Sequence, residues 1–143
     1  MYYTKIIILA LFIFNASHLM AQDLTSHKWN NRTLLALTND TENTIYKNQI
    51  DNLKECQNGL QERKLIIYQV KKDSCKIGLQ DSGEWQKSYK LYKDYKKLNA
   101  PFEIILIGLD GGVKLRQSNI LTCKELFKTI DVMPMRRSEI NNN

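Results

Sequence analysis

The sequence predicts a single α/β sandwich, and three observations carry that prediction. From Arg32 to Val70 a short apolar run, an amphipathic helical stretch and a second apolar run follow one another, which is the signature of a βαβ unit. Further on, two apolar runs flank Gly108-Leu109-Asp110-Gly111-Gly112, a turn signal that reads as a β-hairpin. A last amphipathic stretch follows the hairpin. At 143 residues there is room for one domain able to bury its own core without metals or disulfides.

The chain opens with Lys5, an uninterrupted apolar run from Ile6 to Phe14, and Leu19-Met20-Ala21 ahead of Gln22. A charged start, a short apolar run and a small residue form the pattern of a secretory signal peptide. Residues 1–21 are therefore read as a signal peptide and 22–137 as the domain, with 138–143 as a polar tail. Nine apolar residues fall well short of the roughly 20 that span a bilayer, so no membrane span is expected after cleavage. The residue directly after the cleavage point is Gln22 rather than a cysteine, which argues against a lipid anchor. Cleavage removes one of the 21 Lys and Arg residues and none of the 15 acids, leaving a net charge near +5. That modest excess comes without a long basic run, so nucleic acid is not an expected partner.

Gln22 to Asn31 is a polar lead-in with Leu24 and Trp29 as its large apolar anchors. Arg32 to Thr38 reads as a buried strand. Asn39-Asp40-Thr41-Glu42 offers a helix N-cap with an acid three residues on. From there Ile45, Gln49, Leu53, Cys56 and Leu60 recur at helical spacing to an end near Gly59–Glu62. Lys64 to Val70 is the second strand, parallel to the first. Lys71 to Ser82 reads as a polar loop, and Gly83 to Leu98 as a helix with Trp85, Tyr89, Tyr92 and Tyr95 on one side and Lys87, Lys90, Lys93 and Lys97 on another. The aromatic side is read as core and the basic side as a solvated face, with anion binding as the competing account. Phe102–Ile107 and Val113–Arg116 form the hairpin. Thr122 to Ile130 is the last helix, stopped by Pro134. The order β-α-β-α-β-β-α is the thioredoxin-like one, here without a CxxC motif.

The redox position of that fold is the loop after the first strand, where helix amides and dipole stabilise a thiolate. Here Thr38 to Thr44 contains no cysteine and two acids, Asp40 and Glu42. The three cysteines are Cys56, Cys75 and Cys123, so at most one internal bridge can form. Cys56 lies on the apolar helix stripe and reads as core. Cys75, in a polar stretch, is expected to be the most exposed. Cys123 stands at a helix start beside Lys124, where a thiol of low pKa can occur, although an inert first-turn residue is the plainer reading. His27 is the sole histidine after residue 21, so no Cys/His zinc site is expected. No other metal and no cofactor are expected either.

Lys114 and Arg116 alternate with Val113 and Leu115 along their strand, and Arg136-Arg137 follow Pro134. Guanidinium groups match carboxylate or phosphate oxygens, so these four residues are the candidate anion or partner site. The structural alternative pairs Arg136 or Arg137 with Asp110 or Asp131 as a latch. Met133 and Met135 need cover, so the tail is expected to fold back on the hairpin, bringing Gly111, Lys114, Arg116, Arg136 and Arg137 together. Asp110, Gly111 and Gly112 are assigned to the turn.

Trp29-x-x-Arg32-Thr-Leu-Leu, Glu62-Arg63-Lys64-Leu65, Leu106 to Arg116, and Ile130-Asp131-x-Met133-Pro134-Met135-Arg136-Arg137-x-Glu139 together resemble the domain-of-unknown-function family 4174 across nearly all of the chain after residue 22. The resemblance implies a peroxiredoxin-like or thioredoxin-like fold and an extracytoplasmic setting, as in small exported bacterial proteins and animal sushi-repeat proteins. It supplies no catalytic residues. The family's hairpin carries a lysine where this chain has Leu109.

These readings favour a non-catalytic exported module that binds a protein partner or an anionic ligand. The alternative is a thiol oxidoreductase or peroxidase using Cys75 or Cys123.

Overall fold

A computed structural model describes residues 23–142; the signal-peptide reading of residues 1–21 falls outside them. One mixed sheet of six strands organises the chain. After a 3-10 turn at Leu24–His27 come β1 (Arg32–Thr38), α1 (Thr44–Lys54), α2 (Gln57–Glu62), β2 (Leu65–Val70), β3 (Ser74–Ile77), β4 (Gln86–Lys87), α3 (Lys90–Tyr95), β5 (Phe102–Ile107), β6 (Val113–Gln117), α4 (Cys123–Asp131) and α5 (Pro134–Asn141). The sheet runs β4-β3-β2-β1-β5-β6. β1 pairs parallel with β2 and antiparallel with β5.

Every residue of β1 is buried, as its central place requires, and its side chains alternate between two cores. Leu34 and Ala36 join Phe102, Ile104, Leu53, Leu126 and Ile130 under α1, α2 and α4. Leu35 and Leu37 join Ile105, Val70, Leu24 and Leu91 under the 3-10 turn and α3. The sheet is thus covered on both faces.

Several elements differ from expectation. The cap of α1 is Asn43, whose side chain accepts from Tyr46 N at 3.1 Å. Asp40 instead closes its own turn, accepting from Glu42 N at 2.9 Å. The long first helix breaks at Cys56, giving α1 and α2. Gly59 then lets α4 come close, since a Cβ there would lie 2.5 Å from the Phe127 ring.

The polar stretch 71–82 holds a strand, β3, paired to the free edge of β2. Tertiary pairing overrides its polar composition, because an open strand edge supplies backbone partners whatever the side chains. The helix expected from Gly83 to Leu98 shrinks to Lys90–Tyr95, its first part pairing as β4 against β3. With the helical period lost, the aromatic residues no longer all share a face: Trp85 stacks beneath Lys71 at 4.3 Å and Tyr89 is 61% exposed, while Tyr92 and Tyr95 pack as expected against the core around the buried Leu91. Trp29, also expected to anchor, is 61% exposed; its backbone does the anchoring, donating to Leu109 O at 2.6 Å.

α4 starts as the sequence predicts, with a capping box between Thr122 and Glu125. Buried Gln49 pins the segment leading into it, donating to Leu121 O at 2.9 Å and accepting from Leu121 N at 2.7 Å. Pro134 does end the α4 stretch, but it also starts α5, at the first-turn position where its missing N–H costs nothing. The residues read as a polar tail from 138 onwards continue that helix to Asn141.

Candidate functional site

The loop between β1 and α1 holds no thiol and is closed by its own polar groups: Thr38 Oγ1 donates to Asp40 O at 2.6 Å. Two cysteines lie elsewhere, joined as a Cys56–Cys123 disulfide between the α1–α2 break and the first residue of α4. Cys123 is therefore a bonded residue rather than a free thiol, and Cys56 is a bridge member rather than plain core. Cys75, expected to be exposed, is 1% exposed because β3 turns it under α3. Burial pushes its thiol pKa up, against a smaller opposite pull from the Ser88 hydroxyl.

The candidate anion residues separate. Arg116 donates to Glu103, which is wholly buried on β5, and to Tyr95 O at 2.7 Å. Glu103 also accepts from Lys97 N and Leu98 N at 3.1 and 3.0 Å, so this cluster fixes the segment after α3. Lys114 pairs with Asp110 at 2.6 Å, and Gly112 N donates to the other Asp110 oxygen at 3.0 Å. The Lys114 ammonium and that amide hold the Asp110 carboxyl below its usual range. Gly108 leaves room for the Lys114 chain, since a Cβ would meet it at 2.5 Å. Gly111 supplies the turn's positive φ of 80°.

The tail does return to the hairpin, where Met133, Pro134 and Met135 face Gly108, Leu109, Asp110 and Lys114 across a pocket. Its arginines do not follow. Successive residues of a helix point about 100° apart, so Arg136 turns inward while Arg137 stays exposed. Arg136 meets Glu62 at 2.5 Å, Asp131 at 3.4 Å and Glu139 at 3.5 Å. Of the expected latch partners, Asp131 is engaged and Asp110 is not. Met135, expected to need cover, remains 40% exposed on the pocket rim.

Arg32, the first residue of β1, completes this end of the molecule. It is 1% exposed and lines the same pocket. Its Nη1 donates to Arg63 O at 3.0 Å and to Glu139 at 3.2 Å. Its Nε and Nη2 have no hydrogen-bond partner in the protein. A buried donor left in that state costs about 1–3 kcal/mol, so it calls for an explanation. The usable signal was an arginine opening an otherwise apolar central strand.

Around Arg32 lies an ion-pair network built from the quoted motifs. Arg63 holds Asp131 with Nε at 2.9 Å and Nη2 at 2.7 Å, while its guanidinium covers the Phe127 ring at 4.1 Å. Lys64 stands 3.8 Å from Glu139. Arg32, Arg63, Lys64 and Arg136 thus share Glu62, Asp131 and Glu139, leaving one positive charge in excess. Among the described residues no group of three or more His, Cys, Asp or Glu could hold a metal ion, and no helix is long and apolar enough to cross a membrane.

The structure is similar to that of the reduced 2-Cys peroxiredoxin of Plasmodium vivax, with a TM-score of 0.55 and 16% identity, over 82% of this chain and 84% of that one. That likeness establishes a thioredoxin-like fold. No curated protein matches the sequence. Residues 23–139, which include the sheet, both cores and every member of the ion-pair network, match a domain of unknown function, and the chain accordingly belongs to the DUF4174 family.

Proposed function

We propose that this protein is an exported, non-catalytic thioredoxin-like module that binds a partner or an anionic ligand. One observation carries the reading: the β1–α1 loop, where a redox thiol would gain from a helix start, presents Asp40 and Glu42 and no cysteine. The remaining cysteines fit that reading, two being joined and the third buried under α3. Export is supported by the Lys5, Ile6–Phe14 and Ala21 pattern. Peroxide consumption and insulin-disulfide reduction are the deciding assays. No thiol-dependent turnover above a Cys75→Ser, Cys123→Ser control is expected, and turnover that disappears in that control would overturn the proposal. For export, N-terminal sequencing of the protein from the exported fraction should begin at Gln22.

A second reading has one observation in its favour. Reduction of Cys56–Cys123 would free Cys123 at the first turn of α4, beside Lys124, where dipole and charge favour a thiolate. A thiol oxidoreductase would then work from α4, away from the usual loop. The same assays test it, with loss of activity in Cys123→Ser as its requirement.

A further inference from the structure

We infer that the pocket between the β5–β6 hairpin and the α4–α5 junction binds a small monocarboxylate with an apolar chain, gripped by the Nε/Nη2 edge of Arg32. The inference rests on the binding-module reading and names the ligand class for it.

Three features meet there. The first is geometric. The Nε–H and one Nη2–H of a guanidinium lie parallel and match the two oxygens of a carboxylate. In Arg32 both atoms of this edge are buried and lack a protein partner, because Nη1 alone serves Arg63 O and Glu139, so a ligand reaches them only by displacing atoms of the pocket wall. The same edge of Arg63, in the same network, holds the Asp131 carboxylate at 2.9 and 2.7 Å. A planar carboxylate would complete Arg32 as Asp131 completes Arg63.

The second is charge. Four cations share three carboxylates around Arg32, and the Lys114 at the pocket wall is already matched by Asp110. The deficit is one negative charge. A monoanion balances it, whereas a dianion such as phosphate overshoots and meets the ionised Asp110 across the pocket.

The third is the lining. Leu109, Met133, Pro134 and Met135 give the pocket that Arg32 lines an apolar wall. The cavity, about 320 Å³, falls at the small end of the roughly 300–1,000 Å³ typical of small-molecule sites. Methionine rims adapt to chains of varied shape, so the carboxylate would set the specificity and the chain would be read loosely.

Calorimetric titration of the purified protein with sodium hexanoate, hexan-1-ol and sodium phosphate tests this. Hexanoate should bind saturably at one site, with hexanol and phosphate at least about tenfold weaker, the alcohol lacking the charge-assisted pair and phosphate the right charge. Arg32→Lys keeps the charge but removes the fork, and should weaken hexanoate by about tenfold or more. Because Arg32 is buried and that variant can unfold, Met135→Glu on the exposed rim is the companion. It should keep the wild-type circular dichroism and melting temperature while weakening hexanoate to a similar degree through like-charge repulsion. Absence of saturable hexanoate binding, equal binding of hexanol or phosphate, or unchanged affinity in a folded Met135→Glu would each overturn the inference. Thiol-dependent turnover would instead defeat the non-catalytic reading and leave the titration result standing.

Discussion

Arg116 on β6 reaches across the hairpin to Glu103 on β5, and this places a candidate ligand-binding arginine inside the structure's own electrostatics. Glu103 is wholly buried, and removing its guanidinium partner leaves it only Lys96, at 3.5 Å, and the amides of Lys97 and Leu98. Arg116→Ala should therefore destabilise the fold by about 1–3 kcal/mol, measured by urea unfolding. It should leave hexanoate affinity unchanged wherever the protein remains folded. A near-neutral effect on stability would show that the cluster around the end of α3 holds without this pair.

The Cys56–Cys123 bridge closes a separation of 67 residues and ties the α1–α2 break to α4. Constraint of the unfolded chain by a loop of that length is worth about 4 kcal/mol on a chain-entropy estimate. Reduction, or Cys56→Ser with Cys123→Ser, should lower unfolding free energy by an amount of that order, with the sheet retained in circular dichroism. Free thiol counting before and after denaturation checks the bridge directly: the oxidised protein should give one thiol per chain only when unfolded.

That one thiol is Cys75. Its burial and raised pKa predict little reaction with Ellman's reagent in the native state at pH 7–8, and prompt reaction in guanidinium. Fast native labelling would show that the α3 cover opens readily, and would revive Cys75 as a candidate for chemistry.

Stability should also fall in acid with a component assignable to Asp131. The Arg63 fork is the main cause that holds its carboxyl below the usual 3.8, outweighing the opposing effect of partial burial, with Arg136 adding to it. A carboxyl depressed in the folded state contributes stability above the unfolded value, and loses it as pH falls from about 3.8 through the folded value. Asp131→Asn should lower stability at pH 7 and flatten this part of the acid limb, as read from urea midpoints across pH 2–6. The partial exposure of Asp131 keeps the expected loss modest, on the order of 1 kcal/mol.

The parts of this architecture that were legible in the sequence are those where local signal and tertiary role agree. Arg32–Thr38 and Phe102–Ile107 are mainly apolar, with Arg32, Thr33, Thr38 and Glu103 as the exceptions, because they are central strands covered on both faces, and Thr122 with Glu125 caps α4 by purely local hydrogen bonds. The elements that escaped owe their form to neighbours. β3 is polar and becomes a strand because the edge of β2 accepts it, which also buries Cys75. Gln86–Lys87 leaves the expected helix for the same reason. At the candidate site the return of Met133–Met135 to the hairpin was legible from apolarity. The destinations of Arg116, Arg136 and Arg137 were not, since a side chain's partner depends on which way its strand or helix is turned. Arg32 was the opposite case, quoted as part of a motif yet given no role, because nothing near it in sequence reveals that Glu139 will take one side of it and leave the other open.

Arg32 and Glu139 are separated by 107 positions, so the first strand receives its counter-charge from the last helix. Contacts of such long range form late, after the loops between them have closed. Until α5 docks, Arg32 has the Arg63 carbonyl but not the Glu139 carboxylate, which should disfavour its burial in the βαβ half. On the export route proposed above, this wiring would favour compaction after passage rather than before it.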